Sequence, residues 1–203
     1  MLLGHSLVYA LARGVPGLIN FLAISVYTRL LNPAEYGEYS LVLAGVALLD
    51  ALGIQWLRLG LLRFLPQAGD GAEALLGTIQ TVWLRLAALV AVLLLAVLPF
   101  ASGLPAGLAV CGLLLFLAQG WFELNLELVR SRLEPGSYGR LALLRSVLSL
   151  AFGAAGAYVA GAAGLVGGLA AGIGLTYVLL DGRRGWRGAP AAVDGQLLRR
   201  LLT

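Results

Sequence analysis

The stretch LALLRSVLSLAFGAAGAYVAGAAGLVGGLAAGIGLTYVLL, residues 141–180, carries one charged side chain, Arg145, in forty residues. A helix rises about 1.5 Å per residue and the hydrocarbon core of a bilayer is about 30 Å thick, so this stretch is long enough to cross twice. The small residues at 161–164 divide it into two spans. Within lipid each backbone polar group must find its partner inside its own segment, which for runs of this length means helices. Small residues recur at four-residue spacing: Gly153, Ala157 and Gly161 in the first half, and Gly164, Gly168 and Gly172 in the second. Such faces let helix backbones approach closely. The plain expectation is packing of the two halves on each other; the sharper one is a dimer face or a sliding contact between conformers.

The rest of the chain is written the same way. Hydrophobic residues make up 60% of the sequence, charged residues 12%, and the mean hydropathy is +0.92. That leaves too little polar sequence to clothe a soluble domain, so lipid is the solvent for most of the surface. Four further spans precede residue 141, at about 6–28, 33–64, 75–98 and 106–129. Proline inside the first, Pro16, predicts a kink repaired by neighbours. Asn32-Pro33-Ala34-Glu35 reads as a capping box that opens the second helix, with Tyr36 and Tyr39 at headgroup depth. The expected architecture is an all-α membrane protein: a six-helix transmembrane bundle over residues 1–180, then a polar, arginine-rich cytoplasmic linker, 181–203, ending in what reads as the opening of another amphipathic helix.

Orientation follows from the arginines. The chain has no Lys, so Arg supplies all 14 basic residues of the Lys+Arg count. The segments after the second, fourth and sixth spans carry Arg63, then Arg130, Arg132 and Arg140, then Arg183, Arg184 and Arg187. Those after the first, third and fifth carry only Arg29, beside Glu35 and Glu38. Cytoplasmic loops carry the excess of basic residues, so both termini of a multi-pass membrane protein are expected in the cytoplasm. The same placement explains the net charge of +4 without a nucleic-acid partner.

Charge inside the bilayer costs about 2.5–3.5 kcal/mol per residue at mid-depth on insertion scales, and so marks candidate functional positions. These are Arg13, Asp50, Arg58, Arg85, Glu123 and Arg145, all in the cytoplasmic half or near the midplane, an asymmetry that suits a polar cavity open to the cytoplasm. Arg13, Gly17 and Asn20 share one face of the first helix. Asp50 either pairs with Arg13 or Arg85 as structural neutralisation, or Arg13 and Arg58 face a water-filled path and attract an anion. The guanidinium fork suits phosphate oxygens. Glu123 and Glu127 share a face and are expected to pair with Arg130 or Arg132 at the headgroups. Arg58 and Arg145 are shallow enough to snorkel. Cavity candidates are therefore Arg13, Asn20, Asp50, Arg58 and Arg85. Enzyme signatures are missing: the one histidine, His5, excludes a His cluster, and there is neither a Lys-bearing phosphate loop nor a nucleophile elbow. No catalytic residue, metal or cofactor is expected. Cys111, the single cysteine, reads as a buried, inert thiol.

The segment Gly17-Leu18-Ile19-Asn20 through Tyr27-Thr28-Arg29-Leu30-Leu31-Asn32-Pro33-Ala34-Glu35-Tyr36-Gly37, then Leu62-Arg63-Phe64-Leu65-Pro66 and the cytoplasmic stretch 126–145, resembles the amino-terminal lobe of bacterial polysaccharide flippases, the O-antigen and capsule exporters of the multidrug/oligosaccharidyl-lipid/polysaccharide superfamily. The resemblance implies a two-lobed transporter of which this chain supplies one six-helix lobe. It also implies a partner lobe or homodimer, and a polyprenyl-pyrophosphate-linked oligosaccharide moved from inner to outer leaflet by rocking of the lobes. By position, Arg13 and Arg58 would meet the pyrophosphate. The rival expectations are a cation-coupled drug or metabolite antiporter with Asp50 as its ion site, and a degenerate scaffold that transports nothing.

Overall fold

The structure, a computed structural model, describes residues 2–100, 103, 105–132, 134–180 and 186, without the side chains of residues 2–13, 70 and 135. The described residues form helices and turns, with no strand among them. Six helices follow one another: α1 (Leu2–Leu30), α2 (Pro33–Gly53), α3 (Gln55–Phe64), α4 (Ala72–Val97), α5 (Ala106–Ser131) and α6 (Pro135–Leu179).

These six are not the six spans expected from sequence. The second expected span is broken at Ile54 into α2 and α3, with a bend of 44° between them. Gly53 weakens the helix there. The Ile54 side chain fills a notch on α5, where a Cβ on Gly120 would stand 2.5 Å from its Cδ1. The expected fifth and sixth spans form one segment, α6, whose backbone departs from helical angles at Ala160 and at Gly161, with φ of 58° at the glycine. Glycine enters that left-handed region without steric cost. The division thus falls at 160–161 instead of 161–164. Drawn straight, a helix of 44 residues would be about 66 Å long, twice the bilayer core. Instead the two arms, 135–159 and 162–179, lie antiparallel. A Cβ on Gly156 would overlap the Gly164 carbonyl, one on Gly168 the Phe152 carbonyl, and one on Gly172 would stand 2.8 Å from the Leu148 carbonyl. Gly164, Gly168 and Gly172 therefore serve packing of the arms on each other, the plain expectation, whereas on the first arm the close approach falls at Gly156: a Cβ on Gly153 would meet the Tyr27 hydroxyl and one on Gly161 the Glu35 carboxylate.

Among the described residues, three helical segments are long and apolar enough to cross a membrane: Ala72–Phe100, Ala106–Ser131 and Gly136–Leu179. The bent pair Pro33–Gly53 and Gln55–Gln67 makes a fourth. For Ala72–Phe100 only 6% of the most apolar window is buried within the protein. A helix that apolar and that uncovered belongs in hydrocarbon. Expected residue 181–203 linker features lie outside the described residues, apart from Trp186.

Contact pairs fix the direction of every helix. Val42 meets Gly112 and Ile54 meets Gly120, so α2–α3 runs parallel to α5. Cys111 lies at Gly167 and Trp121 at Tyr177, so the second arm of α6 also runs with α5. Trp83 stacks on Trp121, while Val90 and Leu94 share a groove with Ala109 and Leu113, so α4 opposes α5. Tyr27 bonds the Ser149 carbonyl at 3.1 Å, and Pro16 and Asn20 line a cavity with Ala142 and Ser146, so α1 runs with the first arm. The turns at 31–32, 98–105 and 160–161 consequently share one end of the bundle. At that end the predicted capping box is present: Asn32 Oδ1 accepts from the Glu35 amide at 2.9 Å, and the Asn32 amide donates to Glu35 Oε2 at 3.0 Å. The Glu35 carboxylate sits against Gly161, bringing the first and last of these turns together.

Candidate functional site

Asp50, in the last turn of α2, is buried, and α3 places Arg58 two turns beyond it. Side chains on a helix lean toward its amino terminus, so Arg58 reaches back across the bend. Its Nη2 donates to Asp50 Oδ2 at 2.6 Å. Its Nη1 stands 3.5 Å from Glu123 Oε2 on α5. Glu123 Oε1 accepts from Arg145 Nη1, on the first arm of α6, at 2.5 Å. The Arg145 guanidinium also lies 4.9 Å from the centre of the Phe122 ring, a cation–π contact. Asp50, Arg58, Glu123 and Arg145 thus form one chain of alternating charge whose formal sum is zero. Each ion is paired, which offsets the cost of burying charge. Asp50 Oδ1 and Ser149 Oγ are buried without a hydrogen-bond partner among the described residues.

Beside this chain lies a cavity of about 380 Å³ between α1, α2, α5 and both arms of α6. Its polar wall includes Asn20, Gln119, Glu123, Arg145, Ser146 and Ser149, and its apolar wall includes Pro16, Leu43, Leu115 and Leu169. Arg145 and Glu123 belong to both the cavity and the charge chain. Asp50 and Arg58 belong to the charge chain only.

The structure distributes the expected site residues unevenly. Asn20 lines the cavity. Asp50 and Arg58 meet each other, so the pairing of Asp50 is with Arg58 on its own strand of chain. Arg85 is exposed on α4 and forms no ion pair with a described residue. Arg13 lies on α1, and its side chain is outside the described residues. Three residues assigned to the headgroups, Arg58, Glu123 and Arg145, turn inward instead. Glu123 pairs with Arg145 and Arg58 while Glu127 alone keeps a neighbour in Arg130, at 3.5 Å. Arg145 points into the cavity. The available signal was their depth: two opposite charges at matching heights on neighbouring antiparallel helices neutralise each other more cheaply than either snorkels.

A second polar group went unread. Asn125 is buried on α5; its Nδ2 donates to the Trp121 carbonyl at 2.7 Å and its Oδ1 accepts from Trp186 Nε1 at 2.7 Å. Trp83, Trp121 and Trp186 stack in series, with ring centres 4.9 Å apart at each step. Among the described residues no group of His, Cys, Asp and Glu has the arrangement of a metal site. No protein-family model matches the chain, and no curated protein or solved structure matches it either.

Proposed function

We propose that the chain crosses the inner membrane six times with both termini cytoplasmic, and that it is one lobe of a two-lobed exporter of polyprenyl-pyrophosphate-linked oligosaccharide. The alternation of helix direction supports the six crossings, with α2–α3 counted as one and the arms of α6 as two. The resemblance of residues 17–37 to polysaccharide flippases supplies the substrate class. One structural observation carries the reading furthest: a cavity at membrane depth, lined by Asn20 and by Arg145. A guanidinium in an apolar surrounding attracts phosphate oxygens strongly. The path needs no covalent chemistry. A second lobe or second copy would close the exposed apolar side of α1, where Leu18, Phe21 and Leu22 are more than half uncovered.

The test is export of lipid-linked glycan in a flippase-deficient strain carrying the complete two-lobed transporter. Arg13→Ala is expected to abolish export without loss of protein from the membrane, and Arg13→Lys to keep part of it, because an ammonium lacks the bidentate fork. Wild-type export by Arg13→Ala rejects the role of Arg13, and wild-type export by Arg145→Ala rejects the cavity as the path.

The antiporter reading has its own support in the unpartnered, buried Asp50 Oδ1 within a charge-balanced cluster. Under it, Asp50→Asn abolishes cation-driven uptake into vesicles. Under the flippase reading that variant loses glycan export only by unfolding the protein.

A further inference from the structure

Glu123 is held between two arginines at unequal distances, 2.5 Å from Arg145 and 3.5 Å from Arg58. One of those arginines faces the cavity and the other does not. Arg58 already has a close acid partner in Asp50, at 2.6 Å, yet its Nη1 is turned to Glu123. An arginine has five donors, so Arg58 can hold both carboxylates at once. We infer that Glu123 is an internal competitor for Arg145, holding the donors that an anionic ligand would use and moving to Arg58 when a phosphate-type anion takes Arg145. The inference rests on the reading of the cavity as an anion path, and adds to it the residue that sets the affinity.

The arrangement makes exchange inexpensive. A carboxylate expelled into an apolar interior with no partner is strongly destabilising, since it becomes an uncompensated buried charge. Here the expelled carboxylate has a second guanidinium within a side-chain rotation, and Arg58 does not have to leave Asp50 to receive it. No proton moves and no bond to carbon forms or breaks. One charge-assisted hydrogen bond, Glu123 to Arg145, is exchanged for another, Glu123 to Arg58, while the ligand's oxygens take the vacated donors. With Glu123 on Arg145 the cavity wall presents little net charge to chloride and other small anions, so a ligand must be able to outcompete a carboxylate already in place. A diphosphate, with more oxygens and more charge than a carboxylate, meets that requirement.

The probe is inorganic pyrophosphate, titrated calorimetrically into the full chain in phosphatidylcholine nanodiscs. Removing the competitor by Glu123→Gln is expected to tighten binding roughly tenfold (about 1.4 kcal/mol), and Arg145→Gln to weaken it at least as much. The double variant Asp50→Asn/Arg58→Gln removes the alternative acceptor without leaving a lone buried charge, and is expected to bind several-fold more weakly than the wild type. Equal affinity for wild type and Glu123→Gln overturns the inference and leaves the anion reading standing. Unchanged affinity in the double variant overturns the part given to Arg58. No binding by any of the folded proteins overturns the anion reading and the inference with it. Where Glu123→Gln does not yield folded protein, Glu123→Asp carries the test, because a carboxylate withdrawn by one methylene holds Arg145 less closely and should allow several-fold tighter binding; unchanged affinity there counts against the inference. Repeating the titration with phosphatidylglycerol in the disc identifies the source of the anion. Competition by the lipid supports a headgroup as occupant of Arg145, and its absence supports the soluble or carrier-linked pyrophosphate.

Discussion

Gly164 and Gly174 lie on the same arm of α6, ten residues apart, and the same substitution at each should have opposite effects. A Cβ on Gly174 would meet no atom within 4 Å, whereas one on Gly164 would overlap the Gly156 carbonyl and stand 3.0 Å from the Ala160 Cβ. An ordinary carbon–oxygen contact is about 3.3–3.6 Å, so Gly164→Ala must drive the arms apart by roughly 1.5 Å. Overpacking of this kind costs about 1–3 kcal/mol. The upper part of that range applies, because the obstructing atoms are backbone and cannot rotate away. The separation also spreads to Gly168 and Gly172, which touch the opposite backbone in the same way. Against this stands the gain of replacing glycine in a helix, up to about 1 kcal/mol, which Gly174→Ala should realise without penalty. The expected difference between the variants is about 2–3 kcal/mol, or roughly 30- to 100-fold in the folding equilibrium. Titration with sodium dodecyl sulfate in mixed micelles measures it, read by the fluorescence of the stacked Trp83, Trp121 and Trp186. Equal midpoints for the two alanine variants would refute the hairpin geometry, since a straight α6 gives neither glycine a backbone neighbour.

Three further outcomes follow from the same geometry. Arg58→Gln leaves Asp50 buried without its partner and is expected to lower stability by about 3 kcal/mol, while the double variant Asp50→Asn/Arg58→Gln recovers most of the loss; a double variant no better than the single one contradicts the pair. Reporter fusions at Gly37 and Gly103 should report the periplasm and one at Gly136 the cytoplasm, and a periplasmic signal at Gly136 rejects the six-crossing topology. Asn125→Leu removes the acceptor of Trp186 and should cost about 1 kcal/mol and increase quenching of tryptophan by acrylamide; unaltered quenching means that Trp186 is not held there.

What was legible in the sequence, and what was not, divides by the range of the interaction. The capping box at Asn32–Glu35 was readable because both partners lie within four residues and the geometry of a helix start is fixed. The hairpin of 141–180 was readable because the length of an apolar run is measured against a bilayer of known thickness, and Gly164, Gly168 and Gly172 named the packing face of its second arm; on the first arm Gly156, not the expected Gly153, makes the contact. The break at Ile54 was not readable. No proline marks it, Gly53 alone does not single it out, and the room that the Ile54 side chain takes lies on another helix, at Gly120. The charge chain was half readable. Depth showed that Asp50, Arg58, Glu123 and Arg145 were expensive, but which charges meet depends on the rotation of four helices about their own axes, and that is set by packing between distant segments.

The bend and the charge chain belong together. Ile54 enters the Gly120 notch, and one turn further along both helices Arg58 meets Glu123. The notch therefore sets the height at which α3 lies against α5, and with it the distance between Arg58 and Glu123. A bulkier residue at 120 would push Ile54 out and carry Arg58 away from Glu123, while Asp50, on the near side of the bend, would keep its own place. A single packing contact thus controls whether the carboxylate facing the cavity has a second guanidinium in reach. The polar function proposed for this lobe depends on an apolar contact that touches no charge at all.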